Sequence, residues 1–224
     1  RKAHKDAQYC PKCKSSRFIE VDSGDGQKRQ LQIPVKILRY LPVIPRLQRL
    51  YMTEESAKQM TWHKHGRRYN PEKMVHPSDG EAWTHFDSIH HEKALEARNV
   101  RVAFATDGFN PYGMMAAPYT CWPVFVIPFN LPPGVCFQAQ NIFLSLIIPG
   151  HPGNNMGVYM APLIDELIKS WDEGVLTFDR ATKTNFTMHV WYHYSLHDFL
   201  AYGIFCGWCV RGKFPCPTWF SSFG

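Results

Sequence analysis

Residues 100–113 read VRVAFATDGFNPYG. A largely apolar run, Val100 to Ala105, leads to Asp107, and the chain then turns through Gly108 and Asn110-Pro111. A carboxylate at the lip of a buried strand is costly unless it is paired, hydrogen-bonded or bound to a cation. A turn-forming aspartate meets that demand, and so does a metal ligand. The order of elements around Asp107 bears on the choice.

Downstream, two more short apolar runs end at Pro or Gly, so strands are expected at about 100–106, 121–129 and 141–148. Met160, Leu163, Ile164, Leu167, Ile168 and Trp171 then recur at helical spacing, with Asp165, Glu166 and Lys169 facing elsewhere, and Gly174 closes the helix. Residues 184–199, TNFTMHVWYHYSLHDF, are rich in β-branched and aromatic types and read as one strand with Asp198 at its end. Strand, strand, strand, helix, strand is the opening of a ribonuclease-H-like α/β fold with a mixed sheet. In that fold the first and fourth strands are neighbours, and carboxylates at their ends hold two divalent cations about 4 Å apart for phosphodiester cleavage or strand transfer. Asp107 and Asp198 have the type and place of such ligands, and hard oxygen donors favour Mg²⁺ or Mn²⁺.

The front of the chain differs in composition. Residues 1–100 hold 19 Lys/Arg against 12 Asp/Glu, a balance of +7, whereas residues 101–224 hold 6 against 7, a balance of −1. A basic front half suits an anionic partner, DNA first. Lys36, Arg39, Arg46 and Arg49, interleaved with Tyr40 and Tyr51, and then Arg67 and Arg68, are the candidate phosphate contacts. An ordinary solvated face explains the same residues. Three prolines break residues 34–50 into short helical turns. Thr53 is placed to cap a helix that Gly66 ends, and Ser78 with Glu81 has capping-box spacing for a helix through Phe86. Residues 1–30 carry Cys10-x-x-Cys13 and the loop VDSGDGQKRQ. The expected organisation is a Cys-x-x-Cys segment at 1–30, a basic helical region at 31–96 and the catalytic core at 97–224.

Other features carry less. Cys206-Gly207-Trp208-Cys209 has redox spacing, which requires a helix starting at the first cysteine. His63, His65, His90 and His91 read as surface or capping histidines, His197 as structural, and Trp62, Trp83, Trp122 and Trp171 as core. No run reaches the ~18 apolar residues of a membrane span, and seven cysteines with no apolar leader suggest a reducing compartment.

The wording adds a resemblance. HKDAQYCPKCKSSRF, IPVKILRYLPVIPRLQRLYM, HPSDGEAWTHFD, RNVRVAFATDGFNPYG, WPVFVIPFNLPPG, MAPLIDELIKSWDEGV and HDFLAYGIFCGW, in that order, resemble the transposases of plant CACTA (En/Spm-type) DNA transposons over almost the whole chain. The resemblance implies a nuclear cut-and-paste transposase with an Asp-Asp-Glu set. Asp107 would be its first acid and Asp198 its second, and DNA its partner, with homo-oligomers allowed. It places the third acid beyond this chain, so the chain is expected to be catalytically incomplete, a piece of something longer. It also makes Cys10 and Cys13 half of a four-ligand Zn²⁺ site whose other Cys pair lies upstream, with His4 as a local substitute. The family's later Cys-x-x-Cys here reads Cys216-Pro217-Thr218-Trp219, without its second cysteine. The alternative is a non-catalytic DNA-binding or interaction remnant of a decayed or domesticated element.

Overall fold

The computed structural model describes residues 6–11, 13–24, 26–113 and 119–208, and the chain divides into two units, Arg1–Leu38 and Arg39–Gly224. In the first unit β1 (Phe18–Asp22) and β2 (Lys28–Pro34) pair antiparallel. The loop expected at VDSGDGQKRQ shrinks to a tight turn, because Ser23 N–H donates to the Gln27 carbonyl (3.0 Å) and Gly24 and Gly26 take the positive φ that turn needs.

The second unit starts with β3 (Arg39–Tyr40), α1 (Ile44–Arg49), α2 (Glu54–Gln59) and α3 (Trp62–His65). A 3-10 turn, Pro77–Asp79, leads into α4 (Glu81–Ile89) and α5 (His91–Leu95). Then come β4 (Val100–Thr106), β5 (Cys121–Pro128), β6 (Phe143–Pro149) and α6 (Met156–Asp172). The described residues close with β7 (Val175–Asp179), β8 (Thr184–Met188), β9 (Val190–Leu196) and α7 (Phe199–Cys206).

This is an α/β fold on a mixed five-stranded sheet in the order β3-β6-β5-β4-β9. Every neighbouring pair is antiparallel except β4–β9, which is parallel. β4 lies inside the sheet, and Val100, Val102, Ala103 and Phe104 are all at most 1 % exposed. Burial on both faces explains a continuous apolar run rather than an alternating one.

Several local expectations change. Thr53 does cap α2 by accepting Ser56 N–H, and Gly66 does end α3. The single helix expected between them divides because Thr61 Oγ1 donates to the Lys58 carbonyl at 3.0 Å, competing with the backbone ladder. The capping box belongs to His76 and Asp79, not to Ser78 and Glu81. His76 Nδ1 accepts from Ser78 N–H and Asp79 Oδ2 from His76 N–H, which caps the 3-10 turn two residues before α4.

The strand expected at 184–199 is two strands. Asn99 Oδ1 accepts His189 N–H (2.8 Å) and Val100 N–H donates to the His189 carbonyl, so His189 leaves the β7–β8 hairpin and starts β9 beside β4. The hairpin departs from the single strand expected there; Asp179, 2 % exposed, organises its turn by accepting Ala181 N–H and Thr182 Oγ1–H.

α6 buries Met160, Leu163 and Leu167 as expected, but Ile168 faces solvent. Its Glu166 accepts Tyr40 O–H (2.6 Å), Val43 N–H (3.0 Å) and Ile44 N–H (3.2 Å). α1 lacks a side-chain cap of its own, so a carboxylate from α6 serves its positive end. Among the described residues no helix is long and apolar enough to cross a membrane.

Candidate active site

Paired residues of β4 and β5 keep a constant register, Val102↔Pro128 through Thr106↔Val124, and the same register resumes at the isolated bridge Phe109↔Cys121. Asp107 and Gly108 therefore face Pro123 and Trp122 across an interrupted ladder. Proline has no N–H to donate, which leaves the backbone at Asp107 without an antiparallel partner there. Thr106 Oγ1 donates to the Pro123 carbonyl (2.6 Å) and closes the ladder just before the gap. Gly108 is needed by its neighbour: a Cβ at 108 would lie 2.5 Å from Trp122 Cε2, in the face of a buried indole. Asp107 emerges exposed, its Oδ1 accepting Gly108 N–H (2.6 Å).

On the other side, β9 runs parallel to β4, with Ala105↔Leu196 the last pair. Asp107 and Asp198 each lie two residues beyond that pair, at the carboxyl ends of adjacent strands. Strand spacing is roughly 4.8 Å. Asp198 is the N-cap of α7, with Oδ1 accepting Ala201 N–H (2.6 Å). Both aspartates line one open hollow with Phe109, Pro123, Phe125 and His197.

His197 ties these strand ends together. Its Nδ1 is 3.2 Å from the Thr106 carbonyl, which can only accept, so Nδ1 carries the proton. Its ring packs on Phe205 of α7 at 4.4 Å, and Nε2 is buried without a hydrogen-bond partner among the described residues. Burial lowers its pKa, while the Thr106 carbonyl and the charges of Asp198 and Asp107 pull the other way.

The donor set suits a hard cation. Each aspartate uses Oδ1 on one backbone N–H, and neither Oδ2 has a hydrogen-bond partner among the described residues. Among those residues no group of three or more His, Cys, Asp or Glu gathers as a metal centre, so two carboxylates are what the strand ends supply.

The other candidates are scattered. Cys10 and Cys13 flank a turn in which Lys14 N–H donates to the Cys10 carbonyl (2.9 Å) and Lys14 takes φ 57°. A hydrogen bond with the Ser15 hydroxyl, then the Ser15 backbone and Cys10, bring the Cys13 thiol down to about 7. No third ligand joins them among the described residues, and His4 lies outside those residues. Lys36, Arg39, Arg49 and Arg68 are exposed. Arg46 is half-buried, donating to the Leu144 carbonyl (2.6 Å), and Arg67 donates to the Ser78 carbonyl beside Asp79. The interleaved tyrosines are not free to stack on bases: Tyr40 is bound to Glu166, and the fully buried Tyr51 donates to the Arg98 carbonyl (2.7 Å).

Cys206 is the last residue of α7, whereas the redox motif needs the first cysteine at a helix start; Cys209 and Cys216 lie outside the described residues. His63 is not a surface histidine. It packs on Trp83 (5.4 Å), and burial, then the Arg101 charge, bring its pKa down to about 3.

The fold, with its two strand-end acids and basic front half, fits a protein that works on DNA. Comparison with known families sharpens this: a family described as transposase family tnp2 matches residues 71–222, and the chain belongs to that family. The match includes both aspartates. No curated protein and no solved structure matches the chain.

Proposed function

We propose that the chain is transposase-derived, of the plant CACTA (En/Spm) type, and that its parent activity is metal-dependent cleavage and strand transfer of DNA in cut-and-paste transposition, in the nucleus. The observation that carries this reading is the equal offset of Asp107 and Asp198 beyond the last parallel pair of β4 and β9. The sheet supports it as well: β6-β5-β4-β9, antiparallel up to β4 and parallel at β9 around the α6 connection, is the order of a ribonuclease-H-like core.

Asp107 and Asp198 would hold Mg²⁺ or Mn²⁺, which when bound activates the attacking oxygen and stabilises the leaving one. The protein's own contribution is positional. Pro123 and Gly108 bring Asp107 out of the sheet, the α7 cap orients Asp198, and His197 joins the two strand ends. The open hollow leaves room for a phosphodiester, and Arg39, Arg49, Arg67 and Arg68 supply positive charge for the DNA backbone. Cys10 and Cys13 would offer two thiolates to a Zn²⁺ ion. The Glu of the Asp-Asp-Glu set has no counterpart gathered at this site among the described residues.

Mn²⁺ binding followed by electron paramagnetic resonance tests the site. Asp107→Asn and Asp198→Asn should each remove the binding, and Mn²⁺ retained in both variants would sink the reading. A second reading, DNA binding without cleavage by a remnant of a decayed or domesticated element, is favoured by the backbone caps that both aspartates form. It expects salt-dependent DNA affinity that survives both substitutions, with no Mn²⁺ bound to the unaltered chain.

A further inference from the structure

At the opposite end of β4 from Asp107 lies a second, more enclosed hollow of about 380 Å³, between α3, α4, α5 and the start of β4. Its volume falls at the lower end of the roughly 300–1,000 Å³ of small-ligand sites. Asp107 lies six positions beyond Arg101, so the two hollows are roughly 20 Å apart along the strand.

The lining holds three cations, Lys64, Arg67 and Arg101, against one carboxylate, Asp87, and Asp79, outside the lining, lies 3.5 Å from Arg67, so one positive charge remains in excess. The cations are not equally committed. Arg101 is already engaged: it pairs with Asp87, donates to the Trp83 carbonyl and lies 3.9 Å from the centre of the Trp83 ring. Lys64 is exposed and has no carboxylate partner among the described residues. Its Nζ donates to the carbonyls of Ala94 (2.9 Å) and Leu95 (2.8 Å), which leaves one of its three N–H groups for a ligand. Arg67 is about a quarter exposed; its Nη1 donates to the Ser78 carbonyl and stands 3.5 Å from Asp79 Oδ1, which leaves Nη2 and Nε without a partner among the described residues, and its guanidinium stands 5.5 Å from the ring of Tyr69, itself 65 % exposed at the rim. Inside the wall, His63 Nδ1 is buried without a partner among the described residues. Besides burial, the charges that depress His63 are positive, Arg101 first, then His76 and Lys64. A positive potential in a walled hollow, lined by ammonium, guanidinium and an aromatic ring, is complementary to a phosphate joined to a flat base.

We infer that this hollow is a single-nucleotide site, binding a nucleotide phosphate through Lys64 and Arg67 and its base against Tyr69. The site is independent of the proposed metal ligands and needs no cation at Asp107. It differs from general attraction for DNA in being walled and in having an aromatic rim. The nucleotide could be free or part of a strand, and two ligands separate these sources.

Calorimetric titration of the chain in EDTA with deoxyadenosine monophosphate and with a six-nucleotide single strand tests the inference. Binding of the mononucleotide assigns a free-nucleotide site, and binding of the oligonucleotide alone assigns a nucleotide of a strand. In either case Lys64→Glu and Tyr69→Ala, both at exposed positions, should each weaken binding by about tenfold. Lys169→Glu, at an exposed cation of α6 outside the hollow, should leave it within about threefold. Binding of neither ligand overturns the inference. So does equal loss in Lys64→Glu and Lys169→Glu, which marks diffuse attraction, or undiminished binding in Tyr69→Ala, which leaves only a phosphate contact.

Discussion

The two ends of β4 treat charge in opposite ways. At its start Arg101 is 6 % exposed, paired with Asp87 and laid over Trp83 and Phe86, among histidines kept neutral. At its far end Asp107 faces solvent beside Asp198, holding only a backbone N–H. One strand thus carries a charge that packing has consumed and a charge that packing has left available. A buried ion persists only with its partners in place, while an exposed one contributes little to stability and remains free to meet a ligand.

Acid should break the closed end first. His63 and His193 are drawn down to about 3 and about 4, chiefly by burial and then by Arg101, whereas a histidine in the unfolded chain titrates near 6.5. Below about pH 6.5 the unfolded chain therefore takes up protons that the fold refuses, and stability falls with pH down to the folded values. Between pH 6.5 and 4.5 the loss should be about 3–4 kcal/mol, mostly from His63, because His193 is the more open of the two to screening by solvent. Urea midpoints measured across that range check it, and His63→Gln should flatten the slope.

Asp87→Ala should cost about 3 kcal/mol by stranding the buried guanidinium of Arg101. Arg101→Met should cost less, since Asp87 is 41 % exposed and water can serve it. An equal cost for the two substitutions would contradict the contrast.

At the open end the largest effect belongs to a glycine. Gly108→Ala forces a methyl against the Trp122 ring and should cost about 2 kcal/mol, visible as a changed near-UV tryptophan spectrum. Asp198→Ala should cost about 1 kcal/mol as a lost helix cap, and Asp198→Asn almost nothing, because asparagine caps as well. Asp107→Ala should change stability by no more than about 0.5 kcal/mol in the same urea titration. If Asp107→Ala proved as costly as Asp87→Ala, the aspartate would be structural and the two ends of β4 would be alike.

Much of the scaffold was legible in local sequence. β4, β5, β6 and α6 follow from apolar runs closed by Pro or Gly and from helical spacing, which are properties of short segments. Thr53 and Gly66 were readable for the same reason. The β7–β8 hairpin was hidden because its turn is built by Asp179 and steadied by Arg98, 81 residues away. The break at His189 was hidden because Asn99, 90 residues away, makes it. The burial of His63 is not legible because a histidine on a short helix beside Lys64 gives no local sign of lying against Trp83.

The two aspartates show where the division falls. Sequence by itself determined that Asp107 and Asp198 follow strand-forming segments, because β propensity and turn chemistry act over a few residues. Only the tertiary structure decided that those strands are parallel neighbours ending in step, that Pro123 opens the ladder opposite Asp107, and that His197 joins the two ends. Those facts depend on register between segments up to some ninety residues apart, and register is set by packing across the whole sheet.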